Sequence, residues 1–435
     1  MLIGYMRVST DNAKKPAVWA WNPLLVEVDQ MTHYADCFEH AGGAQPRMPR
    51  FHEHLYAAIL AQACNFGLTQ MAQITDLSYE QLAWYTTWYL REETLDAATV
   101  VVVNYHHHLA MSKAWGEGTL SSSDGKRLPV SVKTTTARPL PKYFGYGRGL
   151  THYVWSSDQN SQYGTKVIPS TNRDAPYVLD AILDNETELP IAEHTTDSLG
   201  VTEIMFALFD LLNLRFSPRI KDIGDQQLYR LDPTISYRHL DPLLKMLPQH
   251  RILAQWDDML RAAASLKRGW VSASLFTSKL QGYARQNDLA GALQDYGRLI
   301  KTLFIVRILQ SEDERRRING QLNKGERLNG VRQFIFFANE GKIRHHYADD
   351  QANQASCLTL VTNMVVTWMT VYTKAVLTQL RAEGLPIPEA DQAHLSPART
   401  GPINRYGKYR FNLQEAQQRV GLRPLRMPPP HGGPP

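Results

Sequence analysis

Between Leu24 and His108 apolar side chains recur at three- and four-residue intervals, in Leu24-Leu25-Val28-Met31, Leu55-Ile59-Ala63 and Leu82-Tyr85-Trp88-Leu90. This spacing predicts a run of amphipathic helices. From Ala114 to Asp225 the texture changes to short β-branched and aromatic runs separated by Gly, Pro, Ser and Asn. Strands are expected at 130–134, 152–155, 191–196 and 214–216, with helices at 175–183 and 202–212 between the later ones. That order suits an α/β class fold built on a mixed sheet. After Asp225 no further strand is expected, and stripes through Leu243-Leu247, Leu253-Leu260 and Leu299-Leu309 set off an all-helical insertion. Helices resume at 326–339 and 351–381, the second stopping at Gly384-Leu385-Pro386. The first ten residues alternate like a strand, and Met427–Pro435 is too rich in Pro and Gly for a helix or central strand, so it reads as a disordered tail. The chain therefore divides into a leader strand at 1–12, a helical lead-in at 13–112, a first core part at 113–235 and the insertion at 236–309. The C-terminal core helices follow at 310–410 and the tail at 411–435.

Composition narrows this picture without identifying a function. A 435-residue chain with 43% apolar, 10% aromatic and 20% charged residues has room for about three structural units. Disordered, collagen-like and disulfide-stapled classes are excluded. The three cysteines, Cys37, Cys64 and Cys357, are too far apart for a CxxC site and suit a reducing cytosol, so a cytoplasmic location is expected. No secretory signal is visible at the start, and Ala97–Val103 and Leu358–Tyr372 are short or interrupted by Thr and Asn, so no membrane span is expected. A net charge of +5 permits a nucleic-acid partner without demonstrating one.

Three stretches could carry chemistry. Thr119-Leu120-Ser121-Ser122-Ser123-Asp124-Gly125 is read at a strand end, His194-Thr195-Thr196-Asp197 at the end of a later strand, and Gly325-Glu326 at the opening of a late helix. A lone aspartate at a strand end is commonly a turn former or helix cap. Two such aspartates with one glutamate could instead converge on a pair of Mg²⁺ ions, which favour hard oxygen donors. Such a pair stabilises the attacking and leaving oxygens of an in-line phosphoryl displacement. The run His106-His107-His108 points to different helix faces and is not read as a metal site. Gly145-Tyr146-Gly147-Arg148-Gly149 lacks the strand-to-helix setting of a nucleotide loop and reads as a connection. Arg215, Arg219 and Lys221 either line a DNA channel or are solvated surface. Phe334, Phe336, Phe337 and Trp368 read as core.

A family resemblance sharpens these candidates. TLSSSDGKR, AEHTTDSLG, FSPRIKDIGDQQLYR, QLNKGERLNGVRQFIFFANEGKIR, QANQASCLTLVTN and HLSPARTGPINRYGKYRF, within Pro23 to Arg426, resemble the C-terminal part of the replicative transposases of the Tn-three family. The resemblance implies a DDE catalytic core with a ribonuclease H-like mixed sheet interrupted by a large helical insertion. By motif matching it assigns Asp124, Asp197 and Glu326 as catalytic residues that hold two Mg²⁺ (or Mn²⁺) ions. The substrates it implies are DNA, both the transposon ends and the target. One ion would activate water to nick a strand, then activate the freed 3′-hydroxyl for attack on target DNA. The alternative is a truncated, catalytically silent remnant that binds DNA or pairs with a full-length transposase; a homodimer is also compatible.

Two details complete the expectations. Met1-Leu2-Ile3-Gly4-Tyr5-Met6-Arg7-Val8-Ser9-Thr10 resembles the first strand of serine-recombinase resolvases, but no other recombinase element follows, so Ser9 is expected to be inert. Family members carry a large N-terminal part that reads the inverted repeats, and almost all of it lies outside this sequence, so DNA binding without sequence preference is expected. Glu340 competes with Glu326 for the glutamate position. On one continuous helix the two would lie about 21 Å apart, with Glu326 in the first turn and Glu340 in the last, before a stop at Gly341. The match to LNKGE selects Glu326.

Overall fold

Five helices meet the helical expectation for the N-terminal part: α1 (Trp21–Thr32), α2 (Phe51–Ala63), α3 (Leu68–Ile74), α4 (Tyr79–Tyr89) and α5 (Glu92–His108). Their starts follow local chemistry. At α4 the Ser78 side chain accepts from the Gln81 N–H while the Gln81 side chain accepts from the Ser78 N–H, closing a capping box. The computed structural model describes residues 21–43, 49–282, 287–411, 413 and 422–425. The opening decamer, with Arg7 and Ser9, and the Met427–Pro435 stretch lie outside the described residues.

A mixed sheet follows, made of β1 (Leu120–Val130), β2 (Arg138–Pro139), β3 (Arg148–Ser157), β4 (Gln162–Pro169), β5 (Glu193–Thr195) and β6 (Arg215–Phe216). Its central path is β3-β1-β5-β6, with β2 and β4 both paired to β3. β1 and β4 run antiparallel to β3, whereas β5 is parallel to β1 and β6 is parallel to β5. Strands 152–155, 191–196 and 214–216 fall where the sequence placed them. The strand expected at 130–134 instead ends at Val130, because its hydrogen-bonding length is the Ser-rich run before it. β2 and β4 were not anticipated. Helix α6 (Glu203–Leu211) is started by Thr202, whose hydroxyl accepts from the Met205 N–H.

The region after Asp225 is not strand-free. A three-residue parallel pair, β7 (Leu228–Arg230) and β8 (Leu244–Met246), sits before the helices. Pro233 and Pro242 and the polar residues between hide so short a pairing from periodicity. Then come α7 (Gln249–Ala254), α8 (Trp256–Lys267), α9 (Ala273–Gly282) and α10 (Asp288–Gln310), and the chain returns to the sheet through α11 (Glu312–Ile335) and α12 (Ala348–Ala382).

The sheet separates two cores. On one side, Leu128 and Leu150 pack with α1–α5, Val331 and Ile335 of α11 and a stripe of α12 from Cys357 to Leu380; on the other, Tyr153, Trp155 and Ile168 pack with α6 and α10. Helix α12 corrects one expectation. It is long and apolar enough to cross a membrane, with a mean hydropathy of 1.3 over the best window, and 94% of that window is buried within the protein. Its Thr and Asn side chains find partners there: Thr362 and Thr370 hydroxyls donate to carbonyls one turn back, and Asn363 bonds the Gln162 backbone from both ends of its amide.

Candidate active site

The site grows from where two parallel strands part. Pairing of β1 with β5 ends at Ser122 opposite Thr195. Two residues further along each chain, beyond the last paired position, stand Asp124 and Asp197, near enough for the charge of one to act on the other. Asp124 is thus not at a strand end. It lies within β1, still paired to Val154 of β3, at the point where its other edge opens. Asp197 follows β5 and accepts a hydrogen bond from the Leu199 N–H at 3.0 Å.

Alternation along β1 puts Ser122, Asp124 and Lys126 on the face covered by α11. The Gln321 amide donates to Ser122 Oγ at 3.0 Å, Asn329 Nδ2 donates to Asp124 Oδ2 at 2.7 Å, and Lys126 Nζ donates to Gln333 Oε1 at 3.1 Å. Strand and helix therefore run alongside one another at four-residue steps of the helix. Gly125 bonds Asp124 from the backbone, its N–H donating to Oδ1 at 2.8 Å. On the opposite face Ser121 and Ser123 hydroxyls bond the two ring nitrogens of His194, and Ser123 also bonds Tyr153. Burial holds His194 neutral, its pKa lowered to about 3.

Electrostatics single out the aspartates. Burial pushes the Asp124 carboxyl above its ordinary value and the charge of Asp197 adds to the rise, against the Gly125 N–H, the Asn329 amide and Arg127. A third carboxyl, Asp174, was not anticipated. It lies across Gly125 on the other face of β1 and is raised to about 6, chiefly by burial, with Asp197 and Asp124 adding and Arg127 opposing. Asp174 stands just before the helix expected at 175–183, and nothing in its sequence marks it as a site residue. Asn329 and Lys126 were also missed. Asn329 had one available signal, its position three residues after Glu326 on one helix face.

Each of the two glutamates requires a correction. Glu326 does not open a helix: α11 starts at Glu312, capped by the Ser311 hydroxyl, and Glu326 lies past its middle. The polar run from 312 to 325 concealed that first half. Glu326 is exposed, next to Gly325, whose Cα faces Ser122, and its charge is felt by Lys126. Glu340 is not on this helix at all. α11 ends at Ile335, and Asn339 and Glu340 have left-handed backbone, φ 52° and 56°, so the axial-distance argument between the two glutamates does not apply. Glu340 is exposed and pairs with Lys342.

The basic trio divides. Arg219 and Lys221 flank the Asp197 loop, where the Arg219 N–H donates to the Thr196 carbonyl and the Lys221 N–H to Ser198 Oγ. Arg215 stands four residues back along β6, 3.9 Å from Glu193. The three consecutive histidines diverge as expected, with His106 bonded to Thr370 and Ser161, His107 to Gln159 and His108 to Glu188.

The donor set where β1 and β5 part is hard oxygen, which suits Mg²⁺ or Mn²⁺. A buried carboxylate beside a second negative charge is also a state that a cation relieves. Among the described residues no three acidic, histidine or cysteine side chains stand together as a finished cage.

A family model described as the Tn3 transposase DDE domain matches residues 23–409. The chain is 40% identical over 409 residues to the transposase of transposon Tn501 from Pseudomonas aeruginosa. It is 38% identical over 408 residues to that of Tn1546 from Enterococcus faecium, and 38% over 407 residues to that of gamma-delta from Escherichia coli K12. Each alignment covers 93% of this chain and 41% of the relative. The chain thus spans about two fifths of the length of these relatives.

Proposed function

The chain belongs to the Tn3-family DDE transposases, and from that premise we propose that it is the part of such an enzyme that cuts and joins DNA strands. The observation that carries this reading is that Asp124 and Asp197 each stand two residues past the last β1–β5 pair, where the strands diverge, and feel one another's charge. Three antiparallel strands followed by two parallel ones, in the order β4-β3-β1-β5-β6, support a ribonuclease H-like core, with 236–309 inserted between its second aspartate and its C-terminal helices.

Asp124 and Asp197 would hold divalent cations, two in the full site, with Glu326 completing the set by rotation of its exposed side chain. When bound, the cations supply charge neutralisation and polarise the attacking oxygen. The chain's own residues do the positioning. The Gly125 N–H and the Asn329 amide fix the two oxygens of Asp124, leaving the outer lone pairs for a cation. Lys126, on the same face, would meet the phosphate as its charge grows, and Arg219 and Lys221 would contact the backbone beyond it. In the first reaction a water oxygen bonds to phosphorus and the 3′-oxygen leaves, taking a proton. In the second that 3′-hydroxyl bonds to a target phosphorus, and the target 3′-oxygen leaves. The three free cysteines support a reducing cytosol as the compartment.

The test is nicking of supercoiled DNA by the full chain with Mn²⁺ or Mg²⁺. Asp124→Asn, Asp197→Asn and Glu326→Gln should each lower the rate by a factor of about 10³ or more, since removal of one electrostatic stabiliser of the transition state costs at least 10²–10³. Equal nicking by all three variants would overturn the assignment, and metal-dependent nicking lost only in Glu340→Gln would identify the other glutamate. A chain that folds but never nicks would favour the catalytically silent remnant.

A further inference from the structure

Beside the aspartates, α11 and the far half of β1 and β3 enclose a cavity of about 410 Å³, of which the reading above uses only Lys126. Its lining includes Lys126, His152, Arg332, Phe336, Leu358 and Arg405. Arg332 is 2% exposed. Its Nη1 donates to Gln162 and Thr359, but Nη2 has no hydrogen-bond partner among the described residues, and no carboxylate pairs with it there. His152, 1% exposed, has both ring nitrogens unpartnered among those residues. A buried guanidinium without a counter-charge is strongly unfavourable, and orphaned donors add to that cost. Lys126 and Arg405 place two more cations on the same walls. Glu340, the one acid of the lining among the described residues, is already paired with Lys342.

The rest of the lining is aromatic and apolar. His152 meets Phe336 edge-on at 6.3 Å, and Arg405 lies 4.8 Å from the ring centre of Phe337. A buried guanidinium with an unpartnered nitrogen, two further cations on the same walls and an aromatic wall beside them fit a group with an anionic end and a flat end. We propose that this cavity receives one nucleotide of a single DNA strand, its phosphate against Arg332, Lys126 and Arg405 and its base against Phe336 and Leu358. The phosphate supplies the missing counter-charge, and any base offers a face for stacking, so no sequence preference is required. Lys126 lies on the face that Asp124 shares, so the strand held here continues toward the aspartates. The proposal takes from the preceding reading only that the polymer is DNA.

The experiment measures binding of a fluorescein-labelled six-nucleotide oligothymidylate to the full chain at low salt, without divalent ions, so it reads no cleavage. The unmodified chain should bind, Arg332→Gln should weaken binding about tenfold, and Phe336→Ala should weaken it several-fold. Lys374→Gln, on exposed surface away from the cavity, should change it less than twofold. A folded Arg332→Gln that binds as the unmodified chain does overturns the site. If Arg332→Gln does not fold, Arg405→Gln at the rim answers the same question with the same expected loss. An abasic hexamer that binds as tightly as oligothymidylate overturns the base contact, as does equal binding by Phe336→Ala. Metal-dependent nicking can fail while this binding persists, or succeed while Arg332→Gln leaves binding unchanged, so the two readings fail separately.

Discussion

At the scale of single residues, the carboxyl groups near β1 make opposite demands on the fold at different pH. The Asp174 pKa is raised to about 6, above the value of about 3.9 for an unfolded chain. The folded state therefore binds this proton more tightly, and the stability it contributes is full below about pH 4 and is lost as pH rises through 6. Asp174→Asn should raise the melting temperature at pH 7.5 by a few degrees, on the order of 1–2 kcal/mol, and flatten the decline between pH 4 and 6. A thermal melt series across that range checks it, and a steeper decline in the variant would count against the argument. Asn329 acts differently, by fixing one oxygen of the Asp124 carboxylate, the proposed cation ligand. Asn329→Ala removes the donor to Asp124 Oδ2, and metal-dependent nicking should fall about 10–100-fold with the melting temperature little changed. Neither residue stands out in the linear chain, because each gains its meaning from partners more than 20 positions away. Asp124 and Asp197 were legible through motif resemblance alone, while the Ser and Gly around Asp124 have low strand preference and hid that it lies inside β1.

At the scale of elements, helices whose apolar stripe survives into the fold were readable and polar ones were not. Ile204, Ala207 and Leu208 of α6, and Leu328, Val331 and Ile335 of α11, are buried as their spacing predicts. The first half of α11 carries one buried apolar residue, Ile318, among charged ones, so periodicity could not find it. It is fixed instead by the Ser311 cap and by Glu312, Asp313 and Glu314 in the first turn, which complement the helix dipole. Short strands such as β2, β7 and β8 are made by tertiary pairing rather than local preference. The contact between α6 and α10 depends on one missing methyl group. A Cβ on Gly297 would lie 1.8 Å from the Glu203 carbonyl oxygen, at backbone that cannot yield locally. Gly297→Ala should push α10 off α6 and cost about 1–3 kcal/mol or more, read as a lower denaturant midpoint.

At the scale of the whole molecule, distant segments are joined by a few buried polar groups. Glu27 of α1, 6% exposed, accepts from Trp368 Nε1 at 2.7 Å and from the Tyr372 hydroxyl at 3.0 Å, and it pairs with Arg423. Arg423→Ala strands that carboxylate, and the expected loss is about 3 kcal/mol, measured by chemical denaturation. Arg423→Lys should recover part of it. The bond between Asp124 and Asn329 spans 205 residues of chain, and this has a consequence for biogenesis. A ribosome adding about 5–20 residues per second makes Asp124 some 10–40 s before its partner. During that interval β1 and β3 exist without the helix that covers them, and Ser122, Asp124 and Lys126 face water on a half-built sheet. The nascent chain must therefore hold an inert, uncovered precursor until α11 emerges, and closure of the insertion between them limits how fast that can happen. A stalled nascent chain ending at Ser311 should leave the peptide bonds around Lys126 open to trypsin, and one ending after Ala382 should protect them. The aspartate site would then gain its helical cover only once α11 has left the ribosome.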